Sequence, residues 1–267
     1  MQKVTIFRNK EKIEEYVAVE RELRLIVNDK TVASVKLSPG YEEEFAIGYC
    51  FGEGLVKSMD SILEVKIVGN TADVRANANF EASYEKYILS DCISGWRAKI
   101  EAEDVHVSSD FKVSSKEILE KMRELRGKSC GWEKTGGVHS VALVSRNDFL
   151  LVEDISRHVA LDKIIGLAVK RGVDLSSSYI LTSGRLPGDM VIKAARVNVP
   201  IIASRTAPLS SGVECAEKCN LTLIGFVRGK KDEYLHAPQK NYLKMISSYN
   251  CLPKRNPSIS TGHFSLG

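Results

Sequence analysis

A basic, glycine-flanked segment follows the last apolar run of the chain and could bind an anion. It consists of Phe226, Val227, Arg228, Gly229, Lys230 and Lys231. Glycines on both sides let the backbone approach a phosphate, while Arg228 and the two lysines supply positive charge. A solvated basic turn would have the same composition. Arg185 and Arg205 could assist from neighbouring strand ends.

A cysteine at the centre of a small polar turn could act as a nucleophile. Cys92 lies within residues 90–96, and Arg97 and Lys99 are close enough in sequence to favour its thiolate. A thiolate on a mobile loop could meet one protein and then another. A surface thiol of no consequence is the alternative, and Cys130, which could also be exposed, is the rival thiol.

The remaining candidate ligands and bases have structural alternatives that are at least as common. Cys215 and Cys219 are four positions apart on a predicted helix, a spacing that suits a metal pair but is more often two partly buried thiols. His139 and His158 could each act as an acid, a base or a phosphate donor, or serve as structural hydrogen-bonding groups. Asp162, one turn beyond His158, could orient its ring. We assign neither histidine a catalytic role.

Two hairpins are predicted in a strand-rich N-terminal lobe. Alternating apolar residues over 22–37 surround an Asn-Asp turn at 28–29, and a second pair of short strands meets at Gly69-Asn70. We expect this lobe to span residues 1–113.

The same lobe should contain one helix and one loop. Ser38 can cap a helix whose first position suits Pro39, and the helix should end at 52–54. Residues 91–113 show no clear periodicity, so we expect a mobile surface loop that carries Cys92.

Strand and helix patterns alternate through a second predicted domain, residues 114–236. Ser114 and Glu117 form a capping box for a helix over 115–126. The later elements are a hairpin over 138–152, a helix capped by Ser156 or Asp154, strands at 179–181, 201–203 and 221–227, and helices at 189–197 and from Ser210 or Ser211. This order predicts an α/β domain whose mixed sheet contains parallel βαβ units, with helices on its faces. The polar tail, 237–267, should be partly disordered.

Bulk composition excludes several classes of protein. The chain has 267 residues, 43% hydrophobic and 27% charged, which is typical of a globular protein. A net charge of +4 suits an anionic small molecule, and the basic residues lack the interleaved aromatics of a nucleic-acid-binding module. No apolar run approaches the ~20 residues needed to span a bilayer. Without a signal-peptide pattern we expect a cytoplasmic protein whose six cysteines are free thiols.

Several ordered blocks of the chain carry a resemblance to a known family. They are Ser38-Pro39, Phe45-Ala46-Ile47-Gly48, Glu53-Gly54, 135–143, 153–163, Ser183-Gly184-Arg185 and 207–231. In these blocks the chain resembles the formate dehydrogenase accessory sulfurtransferase family, FdhD. The likeness covers roughly residues 17–236.

The resemblance implies a function, a set of partners and a fold. It implies a cytoplasmic homodimer that takes sulfur from a cysteine desulfurase as a persulfide and delivers it to the molybdenum cofactor of formate dehydrogenase. It assigns the persulfide to Cys92, and the binding of the cofactor, bis-molybdopterin guanine dinucleotide, to residues 226–231. It implies a second domain like the three-layer α/β fold of cytidine deaminases, and it implies no metal held by the protein itself.

One departure from the family pattern keeps a second function open. Many relatives have another cysteine three positions after the first, where this chain has Gly95. A single thiol can carry a persulfide but cannot resolve it as an internal disulfide. A non-enzymatic chaperone that binds the dinucleotide without sulfur chemistry is therefore the alternative.

A zinc-dependent deaminase is suggested by the implied layer architecture alone. That chemistry needs a His-x-Glu or Cys-x-Glu motif and a Pro-Cys-x-x-Cys segment. Here His139 is followed by Ser-Val, and Pro208 is followed by Leu-Ser-Ser. The motifs that would hold zinc are missing from the sequence.

Overall fold

The computed structural model describes residues 1–78, 84–88, 93–98, 105–228 and 234–236, and its N-terminal part is rich in strands. In chain order the strands are β1 (Gln2–Arg8), β2 (Glu11–Val17), β3 (Arg21–Val27), β4 (Lys30–Leu37), β5 (Ile62–Val68), β6 (Thr71–Ala76), β7 (Tyr84–Ile88) and β8 (Ile93–Ala98). β1 and β2 form a separate two-stranded sheet. The other six form a sheet in the order β5-β6-β3-β4-β8-β7.

Both predicted hairpins of this lobe are confirmed. Asn28 and Asp29 have φ values of 48° and 65°, so both turn residues adopt the left-handed conformation that a two-residue hairpin loop requires. Leu23, Leu25 and Val27 alternate along β3 and are fully buried. The turn residues and the alternating burial of side chains along β3 therefore indicate the same strand register.

The helix of the N-terminal lobe, α1 (Glu42–Gly52), ends as predicted but does not begin as predicted. Tyr41, with φ 63°, occupies the N-cap position, and no side chain caps the helix there. The expected cap at Ser38 and first position at Pro39 are therefore wrong. The Ser38 carbonyl instead accepts a hydrogen bond from the Lys163 ammonium at 2.7 Å, so Ser38 connects this lobe to the second domain.

The second domain is built around a mixed six-stranded sheet. Its elements are α2 (Ser115–Lys128), α3 (Cys130–Thr135), β9 (His139–Val144), β10 (Phe149–Asp154), α4 (Arg157–Lys170), β11 (Tyr179–Thr182), α5 (Gly188–Arg196), β12 (Ile201–Ser204), α6 (Ser210–Lys218), β13 (Thr222–Ile224) and β14 (Tyr234–His236). The strand order is β10-β9-β11-β12-β13-β14. β11, β12 and β13 are parallel and the other pairs are antiparallel, which confirms the predicted mixed sheet.

Helices cover both faces of this sheet, so the domain has three layers. Ile118, Met122 and Leu125 of α2 pack on one face, and α4, α5 and α6 contribute to the core on the other. The predicted caps are confirmed at Ser114, whose hydroxyl accepts from the Glu117 amide at 3.1 Å, and at Ser156, which caps α4. The three-layer α/β fold expected from the sequence is therefore present.

A close crossing of α1 and α4 joins the two lobes. A Cβ atom on Gly48 would lie 1.7 Å from the Asp162 carbonyl oxygen, and one on Gly166 would lie 1.9 Å from that of Glu44. Any side chain at either position would push the helices apart. The glycines therefore let two helix backbones touch, and the two lobes share one continuous hydrophobic core.

The expected mobile loop at 91–113 is wrong for residues 93–98 and 105–113, whereas residues 91–92 and 99–104 lie outside the described residues. Residues 93–98 form β8, which pairs with β4 and β7. Val107 is buried, and its amide donates to the Cys219 carbonyl at 2.8 Å. Strand pairing and docking against the second domain supply the order that the aperiodic sequence does not signal.

Two further elements differ from the predicted ones, and the tail is not described. The hairpin of β1 and β2 was not predicted, and β13 ends at Ile224 rather than at Val227. The tail, 237–267, lies outside the described residues. Among the helices that the structure describes, none is long and apolar enough to cross a bilayer.

Candidate functional site

A cavity of about 470 Å³ opens at the edge of the C-terminal sheet where the parallel strands β11 and β12 end. Ser183 follows β11, and Arg205 and Thr206 follow β12. His139 and Ser140 reach the same edge because β9 runs antiparallel to β11. This is the edge at which open α/β sheets bind ligands, and the volume lies within the range of roughly 300–1,000 Å³ typical of small-molecule sites.

The end of α2, the short helix α3 and a glycine turn close the other side of the cavity. Arg126 and Ser129 contribute from the end of α2, and Trp132 contributes from α3. The chain then turns at Gly136, whose φ of 62° favours glycine, and Gly137 follows it in the cavity wall. The wall therefore combines strand ends, helix ends and exposed backbone.

Three arginines line the cavity. Arg126, Arg205 and Arg228 come from α2, from the end of β12 and from the segment after β13. Burial, and then the positive charges of the other two, lower the pKa of Arg205. Among the described residues no Asp or Glu lines the cavity, so this positive charge calls for an anionic ligand.

The backbone after β13 aims Arg228 into this site. The Phe226 amide donates to the Thr206 carbonyl at 3.0 Å, and the Val227 amide donates to the Ser204 carbonyl at 2.9 Å. Phe226 has a φ of 56°, a left-handed conformation that costs a bulky residue energy and re-aims the chain. The Arg228 guanidinium lies 5.6 Å from the centre of the Phe226 ring.

Of the predicted anion-binding segment, Arg228 lines the cavity, whereas the Val227 side chain is buried in the core. Gly229, Lys230 and Lys231 lie outside the described residues. Arg205 lines the cavity as expected, and Arg185 is exposed and does not line it.

A hydrogen-bonded frame fixes the cavity wall. The Ser183 hydroxyl accepts from the Ser140 amide at 3.0 Å, joining the ends of β11 and β9. The Ser204 hydroxyl donates to the Gly184 carbonyl at 2.6 Å and accepts from the Thr206 amide at 2.9 Å. The strand ends are therefore held together before any ligand arrives.

The two histidines have different surroundings. His139 is half-buried and lines the cavity. His158 is buried, and its Nε2 atom lies 2.9 Å from a carboxylate oxygen of Asp189, a partner that the sequence did not indicate. Both Asp162 oxygens instead accept from the Lys193 ammonium at 2.7 Å. Packing of α5 against α4 decides these partners, which helix spacing alone does not reveal.

The cysteines that the structure describes differ in their exposure to solvent. Cys92 lies outside the described residues, and Cys130 is exposed at the start of α3. Cys215 and Cys219 are buried with their sulfurs 3.9 Å apart, and the described residues contain no group of three metal-ligating side chains. Burial, with the nearby carboxylates of Asp162 and Glu53, raises the pKa of Cys50 to about 12, so this thiol is unreactive at neutral pH.

Comparison with known proteins identifies the family. The model of the FdhD/NarQ family matches residues 18–241, most of the chain. The chain belongs to the FdhD/NarQ family. The N-terminal hairpin of β1 and β2 precedes the part of the chain that matches the FdhD/NarQ model.

Members of the FdhD/NarQ family from distant organisms cover nearly the whole chain. The sulfur carrier protein FdhD of Methanothermobacter thermautotrophicus is 40% identical over 230 residues, which cover 86% of this chain and 92% of that protein. The proteins of the same name from Sulfolobus acidocaldarius and Bacillus subtilis are 33% and 30% identical, and cover 85% and 84% of this chain and 91% and 90% of their own.

A solved structure agrees with this assignment. The crystal structure of a proposed formate dehydrogenase accessory protein from Desulfotalea psychrophila superimposes with a TM-score of 0.73 at 29% identity. The match covers 90% of this chain and 97% of that one.

Sequence reasoning missed two residues of this FdhD/NarQ cavity. Arg126 and Trp132 lie far in sequence from the segment that contains Arg228, and neither stands next to a recognised motif. The available signal was weak: Arg126 is a basic residue in the last turn of a predicted helix, where cations are common for electrostatic reasons.

Proposed function

We propose that this protein is a sulfur carrier that serves formate dehydrogenase. The family assignment, the relatives named as sulfur carriers and the structural likeness to a proposed formate dehydrogenase accessory protein support this role. Sulfur is taken from a cysteine desulfurase as a persulfide on Cys92 and delivered to the molybdenum cofactor before that cofactor enters its enzyme. The carrier acts as a cytoplasmic homodimer.

The observation that carries the proposal is the cavity with three arginines. The substrate, bis-molybdopterin guanine dinucleotide, has a pyrophosphate in each dinucleotide arm. Arginine forks match phosphate oxygens in geometry and charge, and each can donate two parallel hydrogen bonds. Arg126, Arg205 and Arg228 therefore hold the phosphates, and we assign the rest of the segment 226–231 to binding of the same cofactor.

Loading of sulfur needs one thiolate. The Cys92 thiolate attacks the outer sulfur of the persulfide on the desulfurase, the donor cysteine leaves as a thiolate, and Cys92 becomes the persulfide. The sulfur–sulfur bond broken in the donor is replaced by the one formed on the carrier. Gly95, where many relatives have a second cysteine, does not obstruct this exchange.

Sulfur loading tests the proposal. The protein is incubated with a cysteine desulfurase and cysteine, and intact-mass spectrometry follows the addition of one sulfur to wild type, Cys92→Ala and the matched control Cys130→Ala. We expect an adduct in wild type and in the Cys130 variant and none in the Cys92 variant.

The other outcomes point elsewhere. An adduct lost from the Cys130 variant but kept in the Cys92 variant would move the persulfide to Cys130. No adduct in any form, together with retained binding of a guanine nucleotide, would replace the sulfur carrier with the cofactor chaperone.

A further inference from the structure

An exposed tryptophan stands in the wall of the arginine cavity. Trp132 lies on α3, a helix that has no buried residues, and 39% of its surface is exposed to solvent. No aromatic ring or cation of the described residues stacks on its indole. A large flat apolar side chain thus faces a ligand-sized space without serving the core.

The backbone that carries this indole is fixed. The Glu153 carboxylate accepts from the Gly131 amide at 2.7 Å and from the Trp132 amide at 2.9 Å. A Cβ atom on Gly131 would lie 2.8 Å from that carboxylate, so a side chain at this position would make the carboxylate shift. The Trp132 carbonyl accepts from the Gly136 amide at 2.8 Å.

The same carboxylate ties α3 to the sheet. A Glu153 oxygen also lies 3.2 Å from the Ser140 hydroxyl, at the cavity edge of β9. Since one side chain anchors both the Trp132 backbone and the end of β9, the backbone that carries the indole has a defined place relative to the cavity. Such preorganisation lowers the entropic cost of binding a rigid ring.

The cavity therefore offers two chemistries to one ligand. Arg126, Arg205 and Arg228 present positive charge for phosphates, whereas Trp132 presents an aromatic face for a planar heterocycle. A nucleotide carries both groups within one molecule. Stacking of bases on aromatic side chains is favourable for every base because each has a π-face.

We propose that Trp132 is the platform on which the nucleobase of the bound dinucleotide stacks, while the three arginines hold its phosphates. This inference rests on the proposed function and assigns that site a preference for nucleotides over bare pyrophosphate. Trp132 is thus a specificity-determining residue for the substrate.

Paired titrations of the full chain test the assignment. Dissociation constants for GDP and for inorganic pyrophosphate are measured by calorimetry on wild type, Trp132→Leu and Trp132→Phe. Loss of a stacking face weakens binding by about 5- to 150-fold, so we expect a loss in that range for GDP in the leucine variant. Pyrophosphate should bind all three proteins alike, and phenylalanine should retain most of the GDP affinity.

Tryptophan fluorescence tests stacking directly, because GDP would not quench the emission of Trp132 if this residue had only a structural role. The chain has two tryptophans, and Trp96→Phe leaves Trp132 as the single indole. GDP should quench its emission in this variant, whereas saturating pyrophosphate should not.

Failure of the stacking role and failure of the proposed function would give different results. Unchanged GDP affinity in Trp132→Leu, or equal losses for GDP and pyrophosphate, would overturn the stacking role and leave the anion site intact. If wild type bound neither ligand, the nucleotide site of the proposed function would fall, and the stacking role with it.

Discussion

Two groups of cations in this protein have opposite surroundings. At the junction of the lobes, Lys163 and Lys193 are almost fully buried and paired. The Lys163 ammonium is 2.7 Å from an Asp154 oxygen, and Lys193 is held by Asp162 at 2.7 Å and by Glu53 at 3.1 Å. Here the protein supplies its own counter-charges.

At the cavity the cations are left uncompensated. None of Arg126, Arg205 and Arg228 forms an ion pair with another residue that the structure describes. Repulsion among the three guanidinium groups lowers the stability of the folded protein, and a bound anionic ligand relieves that repulsion. Pairing, rather than positive charge itself, therefore separates cations that hold the fold together from cations that are available to bind a ligand.

Removing a junction cation should have the largest effect on stability. Lys193→Met leaves Asp162 and Glu53 facing each other in the core without their shared counter-charge. Breaking a buried ion pair in this way costs about 3–5 kcal/mol, so we expect the free energy of unfolding to fall by that amount in chemical denaturation.

The matched control is an exposed lysine. Lys116 is 85% exposed and lies 3.9 Å from Glu120, and Lys116→Met should change stability by less than about 1 kcal/mol. If Lys193→Met were as stable as wild type, the junction cations would not have the structural role that the comparison gives them.

A steric change at the same junction should come next. Gly48→Ala places a methyl group against the Asp162 carbonyl and forces α1 away from α4. Overpacking of this kind costs roughly 1–3 kcal/mol, and we expect a loss near the upper end. Thermal unfolding of Gly127→Ala serves as the control, because a Cβ there meets nothing within 4 Å. Equal melting temperatures for the two variants would contradict the close crossing.

Removing a cavity cation should act on binding and spare stability. In Arg205→Ala we expect affinity for pyrophosphate to fall by about 10- to 100-fold, since a hydrogen bond to a charged group contributes roughly 1.5–3 kcal/mol. The free energy of unfolding should stay the same or rise, because Arg205 is repelled by Arg126 and Arg228.

Arg185→Ala is the paired control for this experiment. Arg185 has the same charge but is exposed and outside the cavity wall, so the variant should bind as wild type does. A lower free energy of unfolding in Arg205→Ala, or an equal loss of pyrophosphate affinity in both variants, would contradict the distinction between the two groups of cations.

The sequence predicted features that depend on neighbours along the chain. The Asn28-Asp29 turn, the Ser114 cap and the mixed sheet follow from turn chemistry, capping and the alternation of periods, all of which act over a few residues. Arg228 was a candidate for the same reason, because its charge comes directly after the strand that the sequence predicts to end at Val227.

Features decided by long-range packing could not be predicted. Arg126 lines the same cavity as Arg205 and Arg228 because α2 ends at the edge of the sheet. No local sequence pattern indicates where α2 ends in the fold. Helix spacing offered Asp162 as one possible partner of His158, but only the fold shows that α5 brings Lys193 to Asp162 and Asp189 to His158.

The contact between α1 and α4 also constrains the order in which the chain can fold during synthesis. Residues 45–52 of α1 are all buried, largely against elements made much later; Ser38 and its partner Lys163 are 125 positions apart. As the ribosome releases the chain from its N-terminus, this apolar helix emerges long before α4 exists. Until then the nascent N-terminal lobe exposes a surface suited to chaperones and prone to aggregation.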